Sequence, residues 1–523
     1  MRNFFTVFIA IILAIAVVGA VAVLFTPKEP DETTNTDSNT NTDTNTDNND
    51  LIPDNEQVQT PTIEIEDVEE LTTALETLED GAVIAIPTSI ELTETVAIGN
   101  KEVTFIFSED YDKPVSVELQ EGKLTIMNGH FNGIDISGKG TVILDNVMSQ
   151  ATEEGDSGLS LQDGADVTIK IVGSVSLLGA KNGDGLEVPY GTKLLLTGDT
   201  LVAVGNNGVE YTGIDAYNTT DDETYMNMRG SGIGDAVHNI GSLTIMDMTS
   251  LTAKGYGNKA FGIGGGDKSV VTIENTVIEY AKGGFAQSVF VAGDLSYGKQ
   301  EAEGGCAIGV GCGVDGDYDS GILKMKNVTV KKAEGGSKSA AIGALYWTAV
   351  DISIQNCNFE EVIGGTASAG IGGSRIYKGV GKNQYVKIFI DNSQINVTGG
   401  QYGAGIGTGY DTYCQTDFAV CYIEIVGENT KINAQGGINA AGIGTGHHSA
   451  GLSGYILPEC EITAKAGDIF VYEAIYTEPQ DIGYGMCNPE REFANVAIVF
   501  DNQGNAVETP VTVVPTPDEG EVA

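Results

Sequence analysis

One short string recurs along the chain: small residues around a single isoleucine. The copies are FGIGGG (261–266), CAIGVG (306–311), AAIGAL (340–345), SAGIGGS (368–374), GAGIGTG (403–409) and AAGIGTG (440–446). Their central isoleucines, Ile263, Ile308, Ile342, Ile371, Ile406 and Ile443, lie 45, 34, 29, 35 and 37 residues apart. A worn copy, DIGYG, stands at 481–485, and weaker counterparts, GLSL (158–161), GLEV (185–188) and GIGD (232–235), precede the set. Self-similarity at such a period marks a stacked architecture, in which each unit buries its apolar face only against its neighbours. The copies also dispose of a rival reading. Taken alone, GAGIGTG or GIGGGDK (262–268) suggests a loop that cradles phosphate. Neither has the G-x-x-x-x-G-K-[ST] spacing, and no alternating β/α pattern surrounds them, so a tightly packed small-residue strand is expected.

The segments between the copies repeat as well. IENTVI (273–278), MKNVTV (325–330), IQNCNF (354–359) and IDNSQI (390–395) place Asn275, Asn327, Asn356 and Asn392 third, between apolar ends. LTGDTL (196–201) and LPECEI (457–462) share the frame without the asparagine. Asparagine tolerates the left-handed backbone of a tight bend, and identical amides stacked at one turn can bond along the stack. Gly-Gly pairs follow at 283–284, 335–336, 364–365, 399–400 and 436–437. One unit therefore reads strand, Asn turn, strand, Gly-Gly turn, small-residue strand, variable loop. Three strands in about 30 residues fit a coil of a parallel β-helix. Leucine-rich repeats would need L-x-x-L-x-L and helical backs, and a propeller four strands in a blade of roughly 40 residues.

The ends read differently. Asp67 and Glu70 form a capping-box pattern, Val68, Leu71, Leu75 and Leu78 then share one helical face, and Gly81 stops the helix. Strand-like segments, AVIAI (82–86), SIEL (89–92), TVAI (95–98) and VTFIF (103–107), follow at once. The helix is therefore expected to cap the open end of the stack, whose terminal edge needs cover. Ahead of it, Phe4 to Phe25 is nearly all apolar, long enough to span a hydrocarbon core of about 30 Å, and Arg2 favours an N-in orientation. Ala20-Val21-Ala22 keeps signal cleavage open. Both readings export the rest, as a single-pass cell-membrane protein with its C-terminal domain outside or as a secreted one. The expected organisation is a signal anchor at 1–25, a low-complexity acidic linker at 26–60, a solenoid domain at 61–507 and a flexible acidic tail at 508–523. With 73 acidic and 27 basic residues the net charge is −46, which opposes nucleic acid as a partner. Seventy glycines without a G-X-Y period fit many tight turns.

In its capping helix, its I-x-N-x-x-apolar turns and its repeated A-G-I-G, the chain resembles right-handed parallel β-helix proteins of the pectate-lyase-like superfamily. More narrowly, it resembles glycine-rich surface proteins of bacteria and archaea, over about residues 62 to 505. The resemblance implies an all-β, right-handed solenoid of roughly ten coils. It leaves the activity open, since the members include polysaccharide lyases, hydrolases, adhesins and non-catalytic carbohydrate binders. Lyases of the superfamily use calcium held by acidic residues and a basic proton acceptor. Here the arginines beyond the N-terminal segment are Arg229, Arg375 and Arg491, none beside an obvious acidic strand cluster. Glycosidases need paired carboxylates. NTTDDE (218–223) is the nearest acidic match and lacks the later Gly-His-Gly and Arg-x-Lys motifs.

DGDYD sets Asp315, Asp317 and Asp319 at alternate positions, a spacing that suits calcium or simply an exposed acidic turn. Loops after the small-residue strands carry Tyr346, Trp347, Arg375, Tyr377, Tyr410, Tyr413, His447 and His448. In stacked coils these share one edge, where flat aromatic faces suit sugar rings or a protein partner; packing of each loop on itself is the alternative. Cys306/Cys312 and Cys414/Cys421 flank short loops and could close disulfides in an exported protein, whereas Cys357 and Cys460 sit as small turn residues. The reading these features favour is a tethered, non-catalytic, adhesin-like binder of polysaccharide or cell-surface partners. A lyase or hydrolase of acidic polysaccharide and a self-associating envelope protein are the alternatives.

Overall fold

The structure, a computed structural model, describes residues 63–77, 79–208, 229–235, 240–257, 259–266, 268–284, 304–311, 320–345, 348–374, 385–410, 412, 421–449, 451–470, 478–486, 498–500 and 506–508. All lie in the unit Gln59–Ala523. Apart from one α-helix and a 3₁₀ turn, the regular elements are strands, and one parallel sheet joins 34 of them.

Pairing runs from coil to coil in three ladders. The first includes Val270–Glu274, Gly321–Lys326, Val350–Gln355, Val386–Asp391 and Cys421–Val426. The second, beyond the Asn turn, includes Asn358–Ile363, Gln394–Thr398 and Lys431–Gln435. The third is made of the isoleucine strands. Each strand pairs with its counterpart in the next coil, so the chain winds as a solenoid compatible with a parallel β-helix. Ile233, Ile263, Ile308, Ile342, Ile371, Ile406, Ile443 and Ile482 stand in register. Leu186, Leu159, Ile134 and Val115 continue the column. From Val115 to Ile443 every member is at most 2% exposed, each worth about 1.5–3 kcal/mol of burial.

The turns explain the other repeated letters. Asn275, Asn327, Asn356 and Asn392 all adopt φ between 46° and 54°. Their amides stack: Asn327 Nδ2 donates to Asn275 Oδ1 at 2.8 Å, and Asn275 Nδ2 donates to Asp247 Oδ1 at 3.0 Å. The next residue, Thr276, Cys357 or Ser393, turns inward. The Cys357 thiol donates to the Gln355 carbonyl at 3.2 Å, and its N–H donates to Ser393 Oγ in the following coil at 3.0 Å. At these three corners a small side chain with a donor satisfies a neighbouring backbone group; at the Asn327 corner the buried residue is Val328.

The solenoid starts earlier than the A-G-I-G copies and has more coils than the roughly ten expected, its third ladder running from Leu92–Gly99 to Ile482–Gly483. The early coils lack punctuation. Val115–Met127 and Ile134–Asp145 run through the corner as single strands, with a register shift at Gly122 in place of a loop.

The helix α1, Val68–Thr77, buries Leu71, Ala74 and Leu75 and contacts the third-ladder strand Leu92–Gly99. The Glu70 N–H donates to Asp67 Oδ1 at 2.8 Å, and Glu70 Oε2 accepts from the Glu66 N–H at 2.8 Å. Lys101, from the coil below, donates to the carbonyls of Leu75 and Glu76 at the helix C-terminus, where a cation opposes the partial negative charge. At the other end an antiparallel hairpin, Ile498–Phe500 with Ala506–Glu508, packs on Leu452–Ile456. Among the described residues no helix is long and apolar enough to cross a membrane; Phe4 to Phe25 and Leu78 lie outside them.

Candidate functional site

Stacking in register turns a position after each isoleucine into an edge. The fourth residue on is Tyr346, Arg375, Tyr410 and His447 in four successive coils. Tyr346, Trp347, Arg375, Tyr377 and Tyr413 lie outside the described residues, as do Asp315, Asp317 and Asp319. Tyr410, His447 and His448 are described, and the fold brings them together. The centre of the Tyr410 ring is 5.6 Å from that of His447 and 5.6 Å from that of His448; the two imidazoles are 4.0 Å apart.

A fourth ring completes the group. Tyr402 lies 5.7 Å from Tyr410 and 5.4 Å from His447, and its carbonyl accepts the His447 N–H at 2.9 Å. Sequence reasoning missed it because Tyr402 precedes its isoleucine strand. The available signal was the Gly-Gly pair: the second residue after each of four pairs, Lys338, Ala367, Tyr402 and Asn439, has φ between 57° and 68°. The turn imposes this left-handed backbone, and Tyr402 alone of the four fills it with an aromatic ring. His448 is also left-handed, φ 58°. Bulky side chains are uncommon there, and such strain concentrates at functional sites.

All four rings are half-buried. Burial first, and the charge of His448 second, bring the His447 imidazole down to about 3, so it is neutral over ordinary pH. Such a cluster offers flat faces with polar tips, the His447 ring among them uncharged. Among the described residues no group of three or more His, Cys, Asp or Glu side chains could hold a metal ion.

A second grouping lies in earlier coils, where the residue after the column's apolar member is not glycine. Asp135, Ser160 and Glu187 occupy that position in consecutive coils, and glycine takes it over at Gly234 in the next. Glu187 accepts from Ser157 Oγ at 2.9 Å and Ser160 Oγ at 3.0 Å. Burial raises its carboxyl above the ordinary range, and the charges of Asp235 and Asp135 raise it further, against the lowering effect of the two serines. Ionised Glu187 therefore opposes folding. Since its folded pKa lies above the unfolded value, the penalty is absent at low pH and grows as pH rises through the unfolded pKa. Glu187→Gln, which keeps an acceptor for both serines, is expected to raise Tm at pH 7 and leave it unchanged at pH 4, as read by differential scanning calorimetry. These acids were invisible in the sequence because Asp135 and Glu187 join only through coil register.

Cys306 and Cys421 are free thiols among the described residues. Both are fully buried: Cys306 clusters with Phe261 and Leu345, and Cys421 belongs to the main core. Burial pushes the Cys421 thiol up to about 12 and raises Cys306 strongly, so neither is a ready thiolate nucleophile. Cys312 and Cys414 lie outside the described residues.

No family model, no curated protein and no solved structure matches the chain.

Proposed function

We propose that the protein is an extracellular, right-handed parallel β-helix of the pectate-lyase-like kind, tethered by the Phe4–Phe25 segment, that binds polysaccharide without cleaving it. The observation that carries this is the convergence of Tyr402, Tyr410, His447 and His448 from two adjacent coils, two of them on left-handed backbone. Sugar rings stack on aromatic faces, and rigid rings lose little entropy on binding.

Tyr402→Asn is the clean test. Asparagine tolerates the left-handed turn, as Asn439 does in the next coil, so the ring is lost and the fold kept. In affinity electrophoresis against a panel of neutral polysaccharides, the wild-type chain is expected to be retarded by at least one. Tyr402→Asn and Tyr410→Ala are each expected to weaken that binding about tenfold, roughly 1.4 kcal/mol. Retention of full affinity by both variants, or no retardation by any glycan, would count against the reading.

One observation favours a hydrolase as second reading. Glu187 has a raised pKa, Asp135 stands two coils before it and Asp235 follows the residue paired one coil after it. Paired carboxyls, one of them raised, are what glycoside hydrolysis uses. New reducing ends from an acidic polysaccharide, lost in Glu187→Gln, would establish it.

A further inference from the structure

The two ends of the solenoid are finished differently. At the first, α1 lies against the strand Leu92–Gly99 and is clamped by Lys101. At the last coil the core comes into view. Ile432, Ala434 and Ile443 are at most 3% exposed, whereas Ile462, Ala464 and Ile482, their register partners one coil on, are only half-buried. At the corner that follows, Ile469 is 46% and Phe470 51% exposed; with Tyr190 they are the large exposed hydrophobics among the described residues. The hairpin of Ile498–Phe500 and Ala506–Glu508 is a sheet of its own and packs on the first-ladder strand Leu452–Ile456. Among the described strands the second-ladder strand, Glu461–Lys465, pairs on one side only, with Lys431–Gln435. Repeat proteins need a polar cap on the terminal unit, and an open strand edge is a template for a further strand.

The open edge has a definite parity. The Glu461 N–H donates to the Thr430 carbonyl at 2.9 Å, and the Lys465 carbonyl accepts from the Gly436 N–H at 2.8 Å. Residues 461, 463 and 465 therefore turn their backbone groups back into the stack, and Ile462 and Ala464 turn theirs outward. Side chains alternate as well: Glu461, Thr463 and Lys465 are exposed, and Ile462 and Ala464 face the core. A second copy of this strand, set antiparallel about a twofold axis at Thr463, answers each of these groups. Ile462 stands opposite the partner's Ala464, and the two exchange both backbone hydrogen bonds. Glu461 stands opposite the partner's Lys465, and by symmetry Lys465 opposite the partner's Glu461. Lys465 makes no ion pair among the described residues, and its register neighbour is Gln435. Glu461 holds Lys431 at 2.8 Å through one of its two oxygens. The string EITAK (461–465) is thus its own complement in charge and hydropathy. KINAQ (431–435), one coil earlier, is not, since it would set Lys431 opposite Gln435.

We propose that the last coil is a docking edge for a second copy of this chain, the two copies pairing through Glu461–Lys465 as antiparallel strands. Charged residues on an edge ordinarily keep strands apart. These two carry opposite signs at equal distances from Thr463, so in this register they attract, as opposite charges across an antiparallel pair do. Ile469 and Phe470, at the next corner of the same coil, add exposed apolar surface to this end. The first end is covered by α1, so the contact is isologous and assembly stops at two copies. The interface uses neither the ring cluster nor the Glu187 group, and it needs no glycan.

The experiment uses the full chain in detergent at physiological ionic strength, where the net charge of −46 is screened beyond about 8 Å. On the twofold axis Thr463 faces its own copy as a non-hydrogen-bonded pair, with Cα atoms about 4.5 Å apart, within reach of a disulfide. Thr463→Cys is expected to form a disulfide-linked dimer under mild oxidation, read on a non-reducing gel. Asn433→Cys, equally exposed in the same column one coil earlier, and the wild type with its native cysteines are expected to remain monomers. In the Thr463→Cys background, Glu461→Lys and Lys465→Glu each set like charges opposite one another and are expected to lower the dimer yield about tenfold. An equimolar mixture of these two variants puts opposite charges together again and is expected to recover the dimer, which a purely structural role for either residue would not produce. Cross-linking of Thr463→Cys no greater than that of Asn433→Cys overturns the proposal, and so does a mixture that cross-links no better than its components.

Discussion

Gly407→Ala is expected to unfold the C-terminal coils well before the rest of the solenoid. Gly407 is the glycine after the isoleucine in GAGIGTG, and its φ is 137°. That backbone is open essentially only to glycine and costs an L-residue on the order of 1–3 kcal/mol. Space is the larger obstacle. A Cβ on Gly407 would fall inside the contact radius of the Gly444 carbonyl oxygen in the next coil, and one on Gly372 would meet Gly407 in the same way. Backbone atoms pinned by the ladder cannot rotate aside, so overpacking adds about 1–3 kcal/mol. The sum, roughly 2–6 kcal/mol, exceeds what one interface between coils of a repeat protein easily absorbs. Gly155→Ala is the control: φ there is 96°, but no atom lies within 4 Å of the new methyl, so about 1 kcal/mol is expected. Hydrogen exchange read by mass spectrometry should show Gly407→Ala losing protection on both sides of residue 407, and Gly155→Ala keeping it. Equal protection in the two variants would sink the argument that close approach between coils, and not turn flexibility, selects these glycines.

The same geometry decides what the sequence could disclose. A column of glycine carbonyls stacked one coil apart tolerates no side chain, so the A-G-I-G copies had to be written in full, and the isoleucine ladder is legible from spacing alone. The asparagine turns are legible for a similar reason: a left-handed corner admits few residues, and Asn275, Asn327, Asn356 and Asn392 occupy it with their amides bonded along the stack. The first coils were harder. Where Val115–Met127 turns its corner inside a continuous strand, no loop punctuates the repeat, and the unit hides. Sites lie one level further away. Tyr410 and His447 were found because they share an offset from the repeated isoleucine, with His448 beside the latter, whereas the position of Tyr402 is set by the Gly-Gly pair. Asp135 and Glu187 come into line only through register between coils whose lengths differ. The same limit applied to the cysteines: loop spacing suggested partners for Cys306 and Cys421, and spacing alone did not disclose that both side chains are buried.

Acid is expected to weaken the fold through His447, and the window follows from its environment. Burial among Tyr402, Tyr410 and His448 lowers the folded-state pKa to about 3, against an unfolded value of about 6.5. Below 6.5 the unfolded chain takes up a proton that the folded chain refuses until near 3. The unfolded state binds more protons in that interval, so stability is lost as pH falls through it, by at most about 1.4 kcal/mol for each unit. Above 6.5 neither state is protonated, and His447 contributes no slope. Glu187 acts in the opposite direction at the acid end, because protonation relieves its burial; whole-protein curves therefore mix the two. Comparison of wild type with His447→Phe separates them, since phenylalanine keeps a ring against Tyr402 and Tyr410 and cannot titrate. Tm measured from pH 8 to pH 4 should run parallel for the two proteins down to about 6.5 and diverge below it, with the variant the more stable by several degrees at pH 4.5. Parallel curves throughout would mean that His447 is solvated enough to take its proton in the folded state. The ring cluster would then carry a positive charge at mild acid, and its faces would suit anionic rather than neutral sugars.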